Sequence, residues 1–259
     1  MAGSGATGSA NRDRKTARPG DDVDFRPLYK QIKDSIIQQL IAGDWRPGDK
    51  LPSEFDLAAR YGVSQGTVRK ALDELTAQNL LVRQQGRGTF VATHNPHRAL
   101  FHFFHLIGND GSRQLPSSRV LSCTTRRATR EEEEKLDLKP GNQVIQIDRI
   151  RELGARPTIV ERISLSAKRF DGLVKLSRSG LPNTLYELYE ERYGVTIYQA
   201  EEYLRAVAAT EREAALLGVA PGHPLQEIAR LAMSIDRTPV EWRVSRCLTT
   251  DHHYVCVID

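Results

Sequence analysis

Leu28, Ile32, Ile36 and Leu40 recur at helical spacing, with Tyr29 and Ile37 beside them. This pattern predicts a helix that opens at Pro27, where a missing N–H costs nothing, and closes at Gly43. Pro47-Gly48 reads as a turn, and Leu51 as one short extended pairing residue. Leu57 and Ala58 then mark the inner face of a second helix, about residues 54–61, with Ser53 as its N-cap. Gly62 supplies a sharp left-handed turn, and Val63 plugs it. Ser64 caps a third helix, about residues 65–78, whose Val68, Ala71, Leu72 and Leu75 share one face. After it, residues 80–84 and 89–92 read as two strands joined by the tip Gln85-Gly86-Arg87-Gly88.

The polar side of the third helix changes the picture from packing to recognition. Gln65 stands at its leading end, where a recognition helix meets base edges. Gln65 suits adenine, Thr67 suits a phosphate or a thymine methyl, and Arg69 suits guanine or phosphate. Lys70 is a point charge that carries little base information and suits phosphate. Gly66 keeps the helix surface low. Arg87 in the glycine-rich tip suits a narrow, electronegative minor groove, with Arg83 anchoring it on phosphate. Two short helices, a glycine turn and a hairpin in this order form a winged helix-turn-helix over residues 25–92. Small helical domains with an incidental hairpin are the alternative; the agreement of cap, turn glycine, apolar plug and exposed polar set favours duplex DNA.

The run from Leu51 to Val91, LPSEFDLAARYGVSQGTVRKALDELTAQNLLVRQQGRGTFV, resembles the reading head of GntR-type bacterial transcription regulators. The resemblance implies DNA contacts from Ser64, Gln65, Thr67, Arg69 and the wing residue Gly88. It also implies a basic residue just after the PSE motif; this chain has Phe55 there, so operator preference does not transfer from relatives.

Residues 93–99 contain Pro96 and read as a linker to a second domain, 100–259. Strands are predicted at 118–126, 143–153, 157–165, 197–207, 225–235 and 239–248, and helices at 129–136, 184–193 and 210–217. The turns Leu153-Gly154-Ala155-Arg156 and Asp236-Arg237-Thr238 suit hairpins. The stretch from Ala128 to Arg149 and that from Ala208 to Arg230 repeat one plan: capped helix, leucine, Pro-Gly, strand. That echo predicts a pseudo-symmetric α+β domain built on an antiparallel sheet.

This half resembles the UTRA effector domain of the HutC subfamily, with its chorismate-lyase-like fold. The resemblance rests on the helix-Pro-Gly-strand blocks, the Arg149-Ile150-Arg151 run and SGLPNTLYELYEERYG. It implies a small-molecule site at Arg149, Arg151, Glu161, Thr184, Tyr186 and Glu241, with Ser117 and Ser118 nearby. The chemistry is reasonable on its own terms. Arg149 and Arg151 are two apart on a strand, so they face one side. Paired guanidiniums suit a carboxylate or phosphate. Thr184 at a helix start stands near free amides that also favour an anion. Glu161 and Glu241 suit ligand hydroxyls or amines. The alternative is that both arginines pair with Glu152, Glu161 or Glu241 on a solvated sheet face.

A formal net charge of +4 permits a nucleic-acid partner without requiring one. Cys123, Cys247 and Cys256 have neither zinc spacing nor an even count, which points to a reducing cytoplasm. No apolar run reaches the roughly 20 residues of a membrane span. Residues 1–24 read as a disordered tail, with Arg12, Arg14, Lys15 and Arg18 available to DNA backbone. His94, His97, His102 and His105 make two H-x-x-H spacings, but no local carboxylate or cysteine joins them, and no metal is expected. No nucleophile, general base or phosphate loop stands out, so neither catalysis nor a cofactor is expected. The expectation is a ligand-responsive cytoplasmic repressor, binding a palindromic DNA operator as a homodimer and answering to a small anionic metabolite. The rivals are a metabolic enzyme with an accessory DNA-binding module and a DNA-architectural protein without a ligand.

Overall fold

The computed structural model describes residues 26–93 and 104–257. The predicted tail, nearly all of the predicted linker, and His94, His97 and His102 lie outside the described residues.

Three helices form the head: α1 (Leu28–Ala42), α2 (Glu54–Tyr61) and α3 (Gln65–Ala77). Their inner faces meet in one core that includes Ile36, Leu57, Val68, Leu72 and Leu75, all fully buried. Local chemistry sets each boundary. The Ser53 hydroxyl accepts the Asp56 amide, and the Asp56 carboxylate reaches back to the Ser53 amide, a reciprocal capping box. Gly62 takes φ 65°, the left-handed conformation that the turn needs. Ser64 accepts the Thr67 amide at 3.1 Å and so starts α3. The wing pairs β1 (Leu81–Gln84) with β2 (Gly88–Val91), in a register that sets Val82 against Phe90. Lys50 bridges Phe90 from the other side, and Leu51 donates its amide to the Thr89 carbonyl at 2.9 Å. The pairing expected of Leu51 therefore extends to its neighbour.

The second unit is built on a six-stranded antiparallel sheet. Its members are β4 (Ser117–Arg127), β5 (Gln143–Leu153), β6 (Arg156–Ser166), β7 (Ile197–Ala208), β8 (Pro224–Ser234) and β9 (Pro239–Cys247). The order is β4-β5-β6-β9-β8-β7, so β4 and β7 form the edges. Helices α5 (Leu173–Ser177) and α6 (Leu185–Tyr193) cover one face over Ile145, Ile147, Ile163 and Leu165. The opposite face carries α4 (Arg130–Lys135) and α7 (Glu211–Leu217), each opened by a capping box, from Thr129 and Thr210. The echo between the halves is strict in position. Thr129 recurs as Thr210, Pro140 as Pro221 and Arg149 as Arg230, each 81 residues later.

Sequence periodicity missed α5 and the short pair β3 (Leu106–Gly108) with β10 (His252–Tyr254). Three-residue strands show no readable alternation, and these two meet across nearly the whole domain. Tyr198 and Ile235 pack against the head's core, and the Tyr198 hydroxyl donates to Gln78 Oε1 at 3.0 Å.

Candidate nucleic-acid interface and effector cavity

On the head, α3 presents Gln65 and Arg69 to solvent, with Thr67 half-buried beside them. Glu54 organises this face. Its carboxylate accepts Arg69 Nε at 2.9 Å and Nη2 at 2.7 Å, and Gln65 Nε2 at 3.4 Å. Arg83 from the wing reaches the other oxygen at 3.3 Å, and Asp73 at 2.6 Å. The Arg69 hydrogen bond holds the Glu54 carboxyl below its ordinary pKa, so it stays ionised. Ser64 and Thr67 hydroxyls bond each other at 2.8 Å, which commits both to the cap.

Lys70 departs from a plain phosphate contact: its Nζ lies 4.0 Å from the centre of the Tyr29 ring, a cation–π contact with α1. Arg87 lies over Phe90 at 5.7 Å. Gly88 has φ 114°, and a Cβ there would stand 2.9 Å from Lys50 Cε. Lys50 thus lies along the wing tip as a further cation. Sequence reading missed both Lys50 and Glu54; the capping motif explained Ser53 and left the next residue without a role.

The second candidate site lies within the six-stranded sheet. Arg149 and Arg151 point to one side, as their spacing requires, and that side is buried: the residues are 2% and 7% exposed. The alternative of a solvated face is therefore wrong. Arg149 does pair with Glu161, directly across β5 and β6, and also donates to the Asn183 carbonyl at 3.4 Å. Two arginines that were not anticipated complete the cluster. Arg230 and Arg243 face each other across β8 and β9. Arg243 donates to Glu241 at 2.8 and 2.9 Å and to Glu161 at 3.3 Å, while Arg230 Nε donates to Glu202 at 2.6 Å. Arg230 was legible as the echo of Arg149, and Arg243 as the residue two beyond Glu241 on one strand.

Glu161 and Glu241 depart from the ligand-acceptor role. Glu161 is filled by Arg149, Arg243 and Ser245. Burial pushes its carboxyl up, but Arg149, Arg243 and Arg151 together hold it well below the carboxylate range. Glu241, fully buried, accepts Tyr186 at 3.1 Å and Tyr189 at 2.8 Å besides Arg243. Burial, then the Glu241 charge, push the Tyr186 hydroxyl up to about 12. Both carboxylates therefore position cations and hydroxyls from behind. Thr184 is the α6 N-cap, but its hydroxyl donates to Glu187 at 2.8 Å instead of capping. Ser118 reaches the site indirectly, through Asn183 at 2.7 Å, whereas Ser117 is exposed.

Arg151 differs from the other three. Its Nε is buried and has no hydrogen-bond partner among the described residues. Burial and then the charge of Arg149 press its pKa downward. Its guanidinium lies 5.5 Å from the Phe104 ring centre. The open space it borders is small, about 40 Å³ between Phe104, Asn183 and Tyr186 and about 30 Å³ toward Ser245 and Tyr254.

Residues 28–91 match bacterial regulatory proteins of the gntR family, and residues 112–253 match the UTRA domain. The chain is 32% identical over 215 residues to the histidine utilization repressor of Pseudomonas putida, covering 83% of this chain and 85% of that protein. It is 31% identical over 205 residues to the HTH-type transcriptional repressor NagR of Bacillus subtilis, covering 79% of this chain and 83% of that protein. Among solved structures, the ligand-binding domain of a GntR-family regulator from Bordetella bronchiseptica superposes with a TM-score of 0.57 at 33% identity, over 60% of this chain and 96% of that one. A reading head with a winged helix-turn-helix, joined to an antiparallel-sheet effector domain, makes this chain a transcriptional regulator of the GntR family, of the HutC type that carries a UTRA domain.

Proposed function

We propose that the protein is a cytoplasmic repressor that binds a palindromic operator as a homodimer and is released or rearranged by a small anionic metabolite. The single observation that carries the effector class is Arg151. Four guanidiniums, of Arg149, Arg151, Arg230 and Arg243, meet three carboxylates, of Glu161, Glu202 and Glu241. Among the described residues one positive charge is left over, on the side chain whose Nε lacks a partner. An uncompensated buried cation is costly, and an anion supplies what it lacks. A carboxylate or phosphate group satisfies a guanidinium fork directly.

The site binds rather than turns over its ligand. Cys247, the thiol lining it, is held protonated because burial pushes its pKa up. The Ser245 hydroxyl is committed to Glu161. Because the open space holds only a water or two, a metabolite enters as Phe104 moves off Arg151. Such a ligand shifts the regulator only if it binds one arrangement of the domains better than the other. We assign the dimer contact to the edge strand β7. Three free cysteines suit a reducing compartment, and no helix among the described residues is long and apolar enough to cross a membrane.

The test is a thermal-shift panel of organic acids and sugar phosphates on the full chain, followed by release of bound duplex. An anion that raises the melting temperature and releases DNA from the native protein, but not from Arg151→Gln, supports the assignment. Full response in Arg151→Gln removes it.

A further inference from the structure

Phe55 is 73% exposed. It is the second residue of α2, and its helical neighbours Leu57 and Ala58 carry the inward face. The residue before it, Glu54, is bonded to Arg69, Gln65 and Arg83. Phe55 is thus next in the chain to the residue that ties the start of α2 to the leading end of α3 and to two arginines. A lone exposed aromatic needs no explanation elsewhere on a protein. Here it neighbours the start of α3, the end that a helix-turn-helix recognition helix turns toward base edges. It carries no charge or donor, so it gives nothing to a phosphate. In the major groove the apolar feature that bases present is the C5-methyl of thymine.

We propose that Phe55 is a specificity-determining residue that packs on a thymine methyl beside the base read by Arg69. The inference rests on the head's family membership and goes beyond it, since it concerns one base position. The two arginines held by the neighbouring Glu54 favour a nucleic-acid occupant over an apolar protein surface. Burying one methyl contributes about a fourfold preference for thymine over uracil at that position. The affinity change is independent of salt, because no phosphate contact is involved.

The experiment starts by selecting duplexes from a random pool with the full-length protein. Each thymine of the selected site is then replaced by deoxyuridine and affinities are measured at fixed salt. One replacement per half-site is expected to weaken the native protein about fourfold, and Phe55→Ala to lose that difference with an unchanged salt slope. Phe55→Leu is expected to keep part of it. Equal binding of thymine and uracil sites by the native protein overturns the proposal, as does discrimination that survives in Phe55→Ala. If Phe55→Ala binds no duplex while melting normally, Phe55→Leu decides: a thymine preference supports the proposal, and indifference overturns it. A changed sedimentation coefficient in Phe55→Ala, with thymine discrimination intact, identifies Phe55 as a protein contact and overturns it. If the native protein enriches no duplex at all, the reading head itself fails, a result separate from these.

Discussion

Arg69 lies in the grip of Glu54, whose Oε2 accepts two of its N–H groups at 2.9 and 2.7 Å. The pair joins the start of α2 to the second turn of α3, so it orients the guanidinium before any DNA arrives. It is also exposed: the Arg69 side chain is 57% accessible. An exposed pair of this kind adds little to stability and is easily exchanged for another partner. Glu54 is thus a positioning residue, and Arg69 a group held ready.

Arg69→Ala is expected to lower discrimination between the operator and random duplex by roughly 5- to 150-fold, the range for losing a bidentate base contact of about 1–3 kcal/mol. Nonspecific affinity should change little. Glu54→Gln should produce a smaller loss in the same ratio, because the arginine remains but is no longer oriented. Competition gel shifts at fixed salt measure both. Equal discrimination by Arg69→Ala and the native protein would show that this arginine reads no base.

The buried cluster makes a different kind of prediction. Glu161→Gln leaves Arg149, Arg151 and Arg243 with one carboxylate fewer in a buried site. Breaking such a pair costs about 3–5 kcal/mol. The variant should melt well below the native protein, and an anion found in the thermal-shift panel should recover more of its stability than it adds to the native chain. Unchanged melting of Glu161→Gln would mean that the cluster is solvated.

How much of this could be read beforehand depended on whether the signal was local. Ser53, Gly62 and Ser64 act on amides a few residues away, and their roles followed from spacing alone. The same holds for Arg149 and Arg151 sharing a side of β5. Pairing across strands does not follow from local spacing. That Glu161 meets Arg149, Arg243 and Ser245 depends on the order β5-β6-β9, which no window of sequence contains. Pairing with Glu161 stood only as one alternative for Arg149 and Arg151, and Arg230 and Arg243, both already matched, were not anticipated. The 81-residue echo between Arg149 and Arg230 did hold this information, but its use required seeing the halves as one repeated unit. Phe104 enters the site from beyond the sheet, and nothing near it in the chain marks it as a neighbour of Arg151.

Acid should act through Glu132. This residue is 4% exposed and accepts Arg126 at 2.7 and 2.6 Å, the Thr129 amide at 2.8 Å, and the Ser164 hydroxyl. Burial alone pushes its carboxyl up, but the bonds from Arg126, Ser164 and Thr129 outweigh it and bring the pKa from 4.5 down to about 2. Because the folded value is depressed, the stabilisation is complete above the unfolded pKa and is lost as pH falls toward 2. It is on the order of 2 kcal/mol after solvent screening. Native protein and Glu132→Gln should differ in melting temperature near neutrality, and the gap should close as pH drops from about 5 to about 2.5. A gap independent of pH would mean that the difference comes from packing and not from the ionised carboxylate.

The edge strand β7 supplies the last test. It runs for 12 residues at the edge of the sheet, with no strand beyond it among the described residues, and it exposes Tyr203 at 50% and Leu204 at 44%. A long edge with apolar side chains is a template for another strand unless something covers it. For the homodimer proposed above, a second copy would be self-complementary here. With a twofold axis at Tyr203, antiparallel pairing sets Glu201 of each chain opposite Arg205 of the other. A charge at Leu204 would be placed in that seam. Leu204→Asp is therefore expected to shift the protein from dimer to monomer in sedimentation velocity, and to lower operator affinity because the two heads no longer bind as one unit. A dimer that persists in Leu204→Asp would move the interface to another face of the domain while leaving the reading head and the arginine cluster as they stand.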